Sequence, residues 1–118
     1  MATLLICFTH PPYGSNISQE GLDFALAATN FGHSVSVLFK DDGVLQLVKS
    51  DSIKGIKNHS KRLASMPFFD IESCFVCELS ASRVGHDISG VMDAIDAEFA
   101  NADEQIRLIS SSDHVVTF

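Results

Sequence analysis

The chain has 118 residues and a mass of 12.8 kDa, the size of one domain. Hydrophobic residues make up 46% and charged residues 19%, enough apolar side chain for a packed core and too much for a disordered chain. The net charge of −7 and the pI of about 4.9 argue against a protein that grips DNA or RNA by its phosphates, because such proteins are basic.

The apolar residues come in short runs. Leu4–Phe8 is too short to cross a bilayer and has no basic flank, so neither a membrane span nor a secretory signal is expected. Three cysteines, Cys7, Cys74 and Cys77, cannot all pair with one another. With no export signal, reduced thiols and a cytoplasmic location are the expectation.

In chain order, Thr3–Thr9 is a continuous apolar run and predicts a strand buried on both faces, as in parallel sheets. Pro11 and Pro12 break it. Asn16 or Ser18 is a fair N-cap for a helix over 18–31, with Glu20 in the first turn and Gly32 at its end. Ser34–Lys40 predicts a second strand, completing a βαβ unit. Asp41-Asp42-Gly43 ends it, and Val44–Val48 suggests a short helical turn.

Five of the eight Lys and Arg residues (Lys49, Lys54, Lys57, Lys61, Arg62) fall between 49 and 62, opposed only by Asp51. That stretch is +4 and the remainder −11. It predicts a loop, then a helical segment near Ser60–Met66 ended by Pro67. A solvated loop is the plain reading. The charge contrast also makes Lys54, Lys57, Lys61 and Arg62 candidates for docking an acidic partner.

Ile71–Cys77 predicts the third strand, and Glu78–Val84 a short helix closed by Gly85. Val91–Ile95 is expected as a fourth strand. Asp96 is expected to cap a helix over 97–109, and His114–Phe118 to form the last strand. The alternation predicts a single-domain three-layer α/β/α sandwich over residues 1–118, around a mostly parallel sheet of about five strands. Ligands and reactive groups in such sheets sit beyond the C-terminal strand ends. Here those are residues 10–16, 41–43 and the segment after Cys77.

Cys74 and Cys77 form a Cys-x-x-Cys. On a strand, side chains three apart point to opposite faces, which argues against a redox disulfide, and one cysteine pair is short of a zinc site. Cys7 and Cys74 read as core. Cys77, at a strand end before a helix, is the one placed for reactivity, because a helix N-terminus favours thiolate while the adjacent Glu78 opposes it. The plain reading of Cys77 is nevertheless a small buried filler, with reactivity as the alternative. Asp41 and Asp42 have the chemistry for Mg²⁺, but a strand-ending turn explains Asp41-Asp42-Gly43 without any metal. No glycine-rich phosphate loop and no histidine cluster is present, so neither a cofactor nor a metal is expected. A flavodoxin-like nucleotide-binding module is the alternative from another class.

The strings Pro12-Tyr13-Gly14-Ser15, Glu20-Gly21-Leu22-Asp23, Asp42-Gly43-Val44, Asp70-Ile71-Glu72-x-Cys74-x-Val76-Cys77 and Asp113-x-Val115-Val116-x-Phe118 run nearly end to end. Together they resemble the DsrE/DsrF-like superfamily, and within it the TusC (DsrF) branch. The resemblance implies a cytoplasmic subunit of a TusBCD-like heterohexamer, a dimer of heterotrimers with TusB-like and TusD-like partners. Such a complex takes persulfide sulfur from a TusA-like carrier and passes it to a TusE-like one, for 2-thiolation of the tRNA wobble uridine. Related Dsr complexes work in dissimilatory sulfur oxidation. The carrier cysteine of the family belongs to the TusD (DsrE) subunit, and Cys77 occupies the matching place here. What carries over is the position and not the activity, so a structural subunit is the first expectation and persulfide on Cys77 the alternative. The acidic charge and the short apolar runs predict no direct nucleic-acid contact and no membrane, and a homo-oligomer is the alternative assembly for the isolated chain.

Overall fold

The computed structural model of the chain describes residues 2–48, 59–71, 73–85 and 87–118. Five strands, β1 (Thr3–Phe8), β2 (Ser34–Phe39), β3 (Ser73–Cys77), β4 (Glu98–Ala100) and β5 (His114–Thr117), form one sheet in the order β4-β3-β2-β1-β5. Every pair is parallel. The helices are α1 (Ile17–Asn30), α2 (His59–Ala64), α3 (Glu78–Val84), α4 (Ser89–Ala94) and α5 (Ala102–Ser111). Short 3-10 turns occupy Asp41–Leu47 and Met66–Phe69. The expected α/β sandwich around a parallel five-stranded sheet is the architecture observed.

Its two faces are unequal, and the strand order explains why. From β1 to β4 each crossover moves the same way across the sheet. Right-handed crossovers in one direction put their helices on one face. Only the return from β4 to β5 runs back across the sheet, so among the described residues α5 is the one helix on the other face. The first face carries the larger core: Ile6, Phe8, Val37, Phe39 and Val76 from the strands meet Leu22 and Ala25 of α1, Leu63 of α2 and Val91 of α4. Phe8 and Phe39 stack there at 5.2 Å. On the second face Leu5, Cys7 and Leu38 form a small cluster with Phe75 and Leu108. No residue of α5 is fully buried, and Ile106 and Ile109 are exposed.

Two glycines are set by close approach. A Cβ on Gly43 would lie 1.9 Å from the Phe8 carbonyl oxygen, so no other residue fits the turn after β2. A Cβ on Gly21 would meet the Phe8 ring at 2.6 Å, so α1 packs directly on β1 there.

The first strand, α1, the second strand, α3 and β5 lie where the sequence places them, each within two residues. Three expectations are corrected. Val91–Ile95 is not a strand: α4 covers Ser89–Ala94, with Val91 and Met92 on its buried side. Four apolar residues in five read equally as strand or as the inner face of a short helix, and Asp93 on the solvent side is what the helix accommodates. Asp96 does not cap a helix over 97–109. It adopts a left-handed turn at φ 53, β4 follows, and α5 begins after Asn101. Asn101 accepts from the Glu104 N–H at 2.9 Å while Glu104 reaches back to the Asn101 N–H, a complete capping box. Pro67 does not end the helical segment by itself. The helix stops at Ala64, and Pro67 sits in the first turn of a separate 3-10 turn, where its missing N–H costs nothing.

Candidate functional site

All strands are parallel, so their C-terminal ends share one edge. That edge gathers residues 10–16, the turn from Asp41, and Cys77. The sulfur of Cys77 is on the sheet face opposite Cys74, as the spacing requires. Cys74 belongs to the core packed under α1, α2 and α4, whereas Cys77 lines a hollow shared with α5. The three thiols are free.

Their surroundings separate them. Burial pushes the Cys74 thiol up to about 12, helped by the negative charge of Asp96. Burial also raises Cys7, and Lys40 only partly offsets this. Both are inert fillers of the sheet interior. Cys77 is half-buried. Burial alone would raise its pKa, but hydrogen-bond donors outweigh burial and lower it: the side chain and backbone of Ser80, the Gln105 amide and the Leu79 N–H. The Cys77 side chain closes no cap hydrogen bond on α3. The donors stabilise the thiolate.

Local sequence sets this arrangement. Cys77 ends β3 in extended geometry and is the N-cap of α3. Ser80, three residues on, faces back toward it and is 8% exposed. The Ser80 hydroxyl accepts the Asp41 N–H at 2.9 Å. Its acceptor side is thus engaged, and its own hydrogen is left for the sulfur. Cys77 pairs in register with Ala100 of β4. Gln105 Nε2 donates to the Ala100 carbonyl at 3.0 Å, which holds the amide over the same spot. The hollow has a volume of about 510 Å3 and is lined by Cys77, Glu78, Leu79, Ala100 and Gln105, among others.

The remaining predicted residues lie elsewhere. Asp41 and Asp42 border a separate hollow of about 320 Å3 with Ser80 and Arg83. Among the described residues no three His, Cys, Asp or Glu side chains come together to hold a metal. Lys54 and Lys57 lie outside the described residues. Lys61 is exposed on α2. Arg62 forms an ion pair with Asp23 of α1, so it serves the fold as well as the surface. Sequence reasoning missed Ser80 and Gln105. The i+3 spacing from the N-cap cysteine could have found Ser80. Nothing local points to Gln105, which a 28-residue separation and the β3–β4 register bring to the sulfur.

Among the described residues no helix is long and apolar enough to cross a membrane. The fold is shared with the E. coli ychN protein, at TM-score 0.80 and 18% identity over 100% of both chains. It is also shared with a conserved protein of unknown function from Bacteroides thetaiotaomicron, at TM-score 0.70 and 9% identity over 98% of this chain and 94% of that one. In sequence the chain is 36% identical over 87 residues to a protein named "Protein TusC homolog" from Vibrio parahaemolyticus, covering 72% of this chain and 74% of that protein. It is 28% identical to "Protein TusC" of Buchnera aphidicola over an alignment of 120 positions that covers 100% of this chain and 100% of that protein. The pattern of the DsrE/DsrF-like family matches residues 2–118. With Cys77 at the sheet edge and TusC proteins among its relatives, this chain belongs to the DsrE/DsrF-like family, on its TusC side.

Proposed function

We propose that the chain is a structural subunit of a cytoplasmic sulfur-relay complex of the TusBCD kind. The complex passes persulfide sulfur from a TusA-like donor toward a TusE-like acceptor for 2-thiolation of the tRNA wobble uridine. Similarity to proteins named TusC carries this reading. The surface suits it: Leu79, Phe99, Ile106 and Ile109 are exposed apolar side chains, more than an isolated small domain needs to leave in water. The partners of this reading are TusB-like and TusD-like chains. The basic residues Lys54, Lys57, Lys61 and Arg62 are a docking surface for an acidic one, and residues 1–118 act as one domain.

A second reading gives Cys77 the sulfur itself, and the lowered pKa of this half-buried thiol favours it. The step balances without an external oxidant. The Cys77 thiolate attacks the outer sulfur of a donor persulfide, a new S–S bond forms as the old one breaks, and the donor leaves as thiolate. One experiment separates the readings. The tagged chain is co-purified with its companions, loaded with persulfide donor and labelled with a persulfide-specific alkylating probe. A structural subunit co-purifies with two related chains and gains no mass on the Cys77 peptide, and its Cys77→Ser form still supports thiolation. Mass gain there, with loss of thiolation in Cys77→Ser, establishes the second reading. A chain that binds no companion overturns the first.

A further inference from the structure

His59 opens α2 and is 1% exposed, as is Gln46. Gln46 Nε2 donates to the His10 carbonyl at 2.9 Å. That bond fixes the amide so that Oε1 faces the His59 ring, 2.7 Å from Nε2. An amide oxygen only accepts, so His59 Nε2 carries the hydrogen and Nδ1 keeps a bare lone pair. The His59 backbone N–H donates to the Tyr13 hydroxyl at 3.2 Å. Helix α2 is therefore fastened to the loop after β1 at two points, at residue 10 through Gln46 and at Tyr13 directly. This loop stands at the same sheet edge as Cys77.

We infer that His59 is the pin of an acid-sensitive clasp: neutral, it fastens α2 to the loop at residues 10–16, and a proton on its ring releases them. Nδ1 is buried with no hydrogen-bond partner among the described residues. A proton there creates a buried N–H and a full charge, both costly without an acceptor. Arg62, one turn along α2, adds repulsion. Burial and Arg62 together lower His59 to about 4. Of the described elements packed on α2, α1 carries Asp23, which is ion-paired with Arg62, the Asp41–Leu47 turn carries Asp41 and Asp42, and α4 carries Asp93, all of these carboxylates solvent-exposed; the Met66–Phe69 turn carries no charge. The titratable groups of the loop itself are Tyr13 and His10. The clasp does not depend on the sulfur-relay reading.

Nitrogen-15 NMR of the full chain, titrated from neutral pH down to about pH 3.5, tests it. The ring is expected in the Nε2–H form at neutral pH and to stay neutral well below pH 6.5. As it takes its proton, the amide signals of residues 10–16 and 59–64 shift and broaden together while those of β1 to β3 hold. In His59→Gln the side-chain amide replaces the Nε2–H donor and cannot charge, so this coupled transition disappears. If His59→Gln does not fold, the native titration decides alone. An Nδ1–H tautomer, a ring that titrates near 6.5, a proton taken up with no response at 10–16, or an unchanged transition in folded His59→Gln each overturns the clasp.

Discussion

The backbone N–H of Asp41 donates to the hydroxyl of Ser80 across 2.9 Å, tying the turn after β2 to the first turn of α3 beside Cys77. Two residues 39 apart in sequence, one in the turn after β2 and one in α3, thus share one hydrogen bond, and that bond orients the Ser80 hydroxyl toward the thiol. The position of Cys77 is a property of the strand. Its acidity depends on this cross-connection and on α5.

Replacing Ser80 with Ala removes one donor to the thiolate and leaves burial unopposed to that extent. Alkylation of Cys77 by iodoacetamide, followed by mass spectrometry on the Cys77 peptide, is expected to slow roughly fivefold at neutral pH. That is the effect of about 1 kcal/mol of lost thiolate stabilisation. An unchanged rate–pH profile would show that Ser80 plays no part in tuning the sulfur.

Gly43→Ala places a methyl group against the Phe8 backbone, where flexible side chains cannot yield. Stability is expected to fall by about 3 kcal/mol, read as a lower urea midpoint at unchanged slope. A variant as stable as the native chain contradicts the close packing of the turn on β1.

Asn101→Ala removes the capping box of α5, at a cost of about 1 kcal/mol. α5 has no fully buried residue to compensate, so its amide protection should drop more than that of β1 to β3. Hydrogen exchange resolved by segment measures this. Because Gln105 rides on α5, Cys77 alkylation should slow as well.

Stability should decline with acid through His59. Its folded-state pKa is depressed from 6.5 to about 4, so the unfolded chain takes the proton first. The contribution is complete above about pH 6.5 and is lost as pH falls through about 4, up to about 3 kcal/mol in all. Urea midpoints measured across this range should fall in the native chain and flatten in His59→Gln. Parallel curves for the two would assign the acid sensitivity to other groups.

The main elements were legible in the chain because their signals are local. The apolar run of β1, the helical stripe ending at Gly32 and the residues from Cys77 to Gly85 each carry their own pattern. The segment from 91 to 101 was not, because Val91–Ile95 is short, and a short apolar run has the same appearance in a strand and on the inner side of a helix.

Sequence by itself determined that this is an α/β chain of alternating elements, that Cys7 and Cys74 are interior, and that Cys77 stands at a strand end with a helix following. These depend on side-chain period and on residues next to one another in the chain. Only tertiary structure decided that β5 returns beside β1, which puts α5 on the face opposite α1. It also decided that Asp41 and Gln105 meet the Cys77 neighbourhood and that His59 closes on Gln46. Such contacts join residues tens of positions apart, and their geometry follows from strand order and register, which no local pattern encodes.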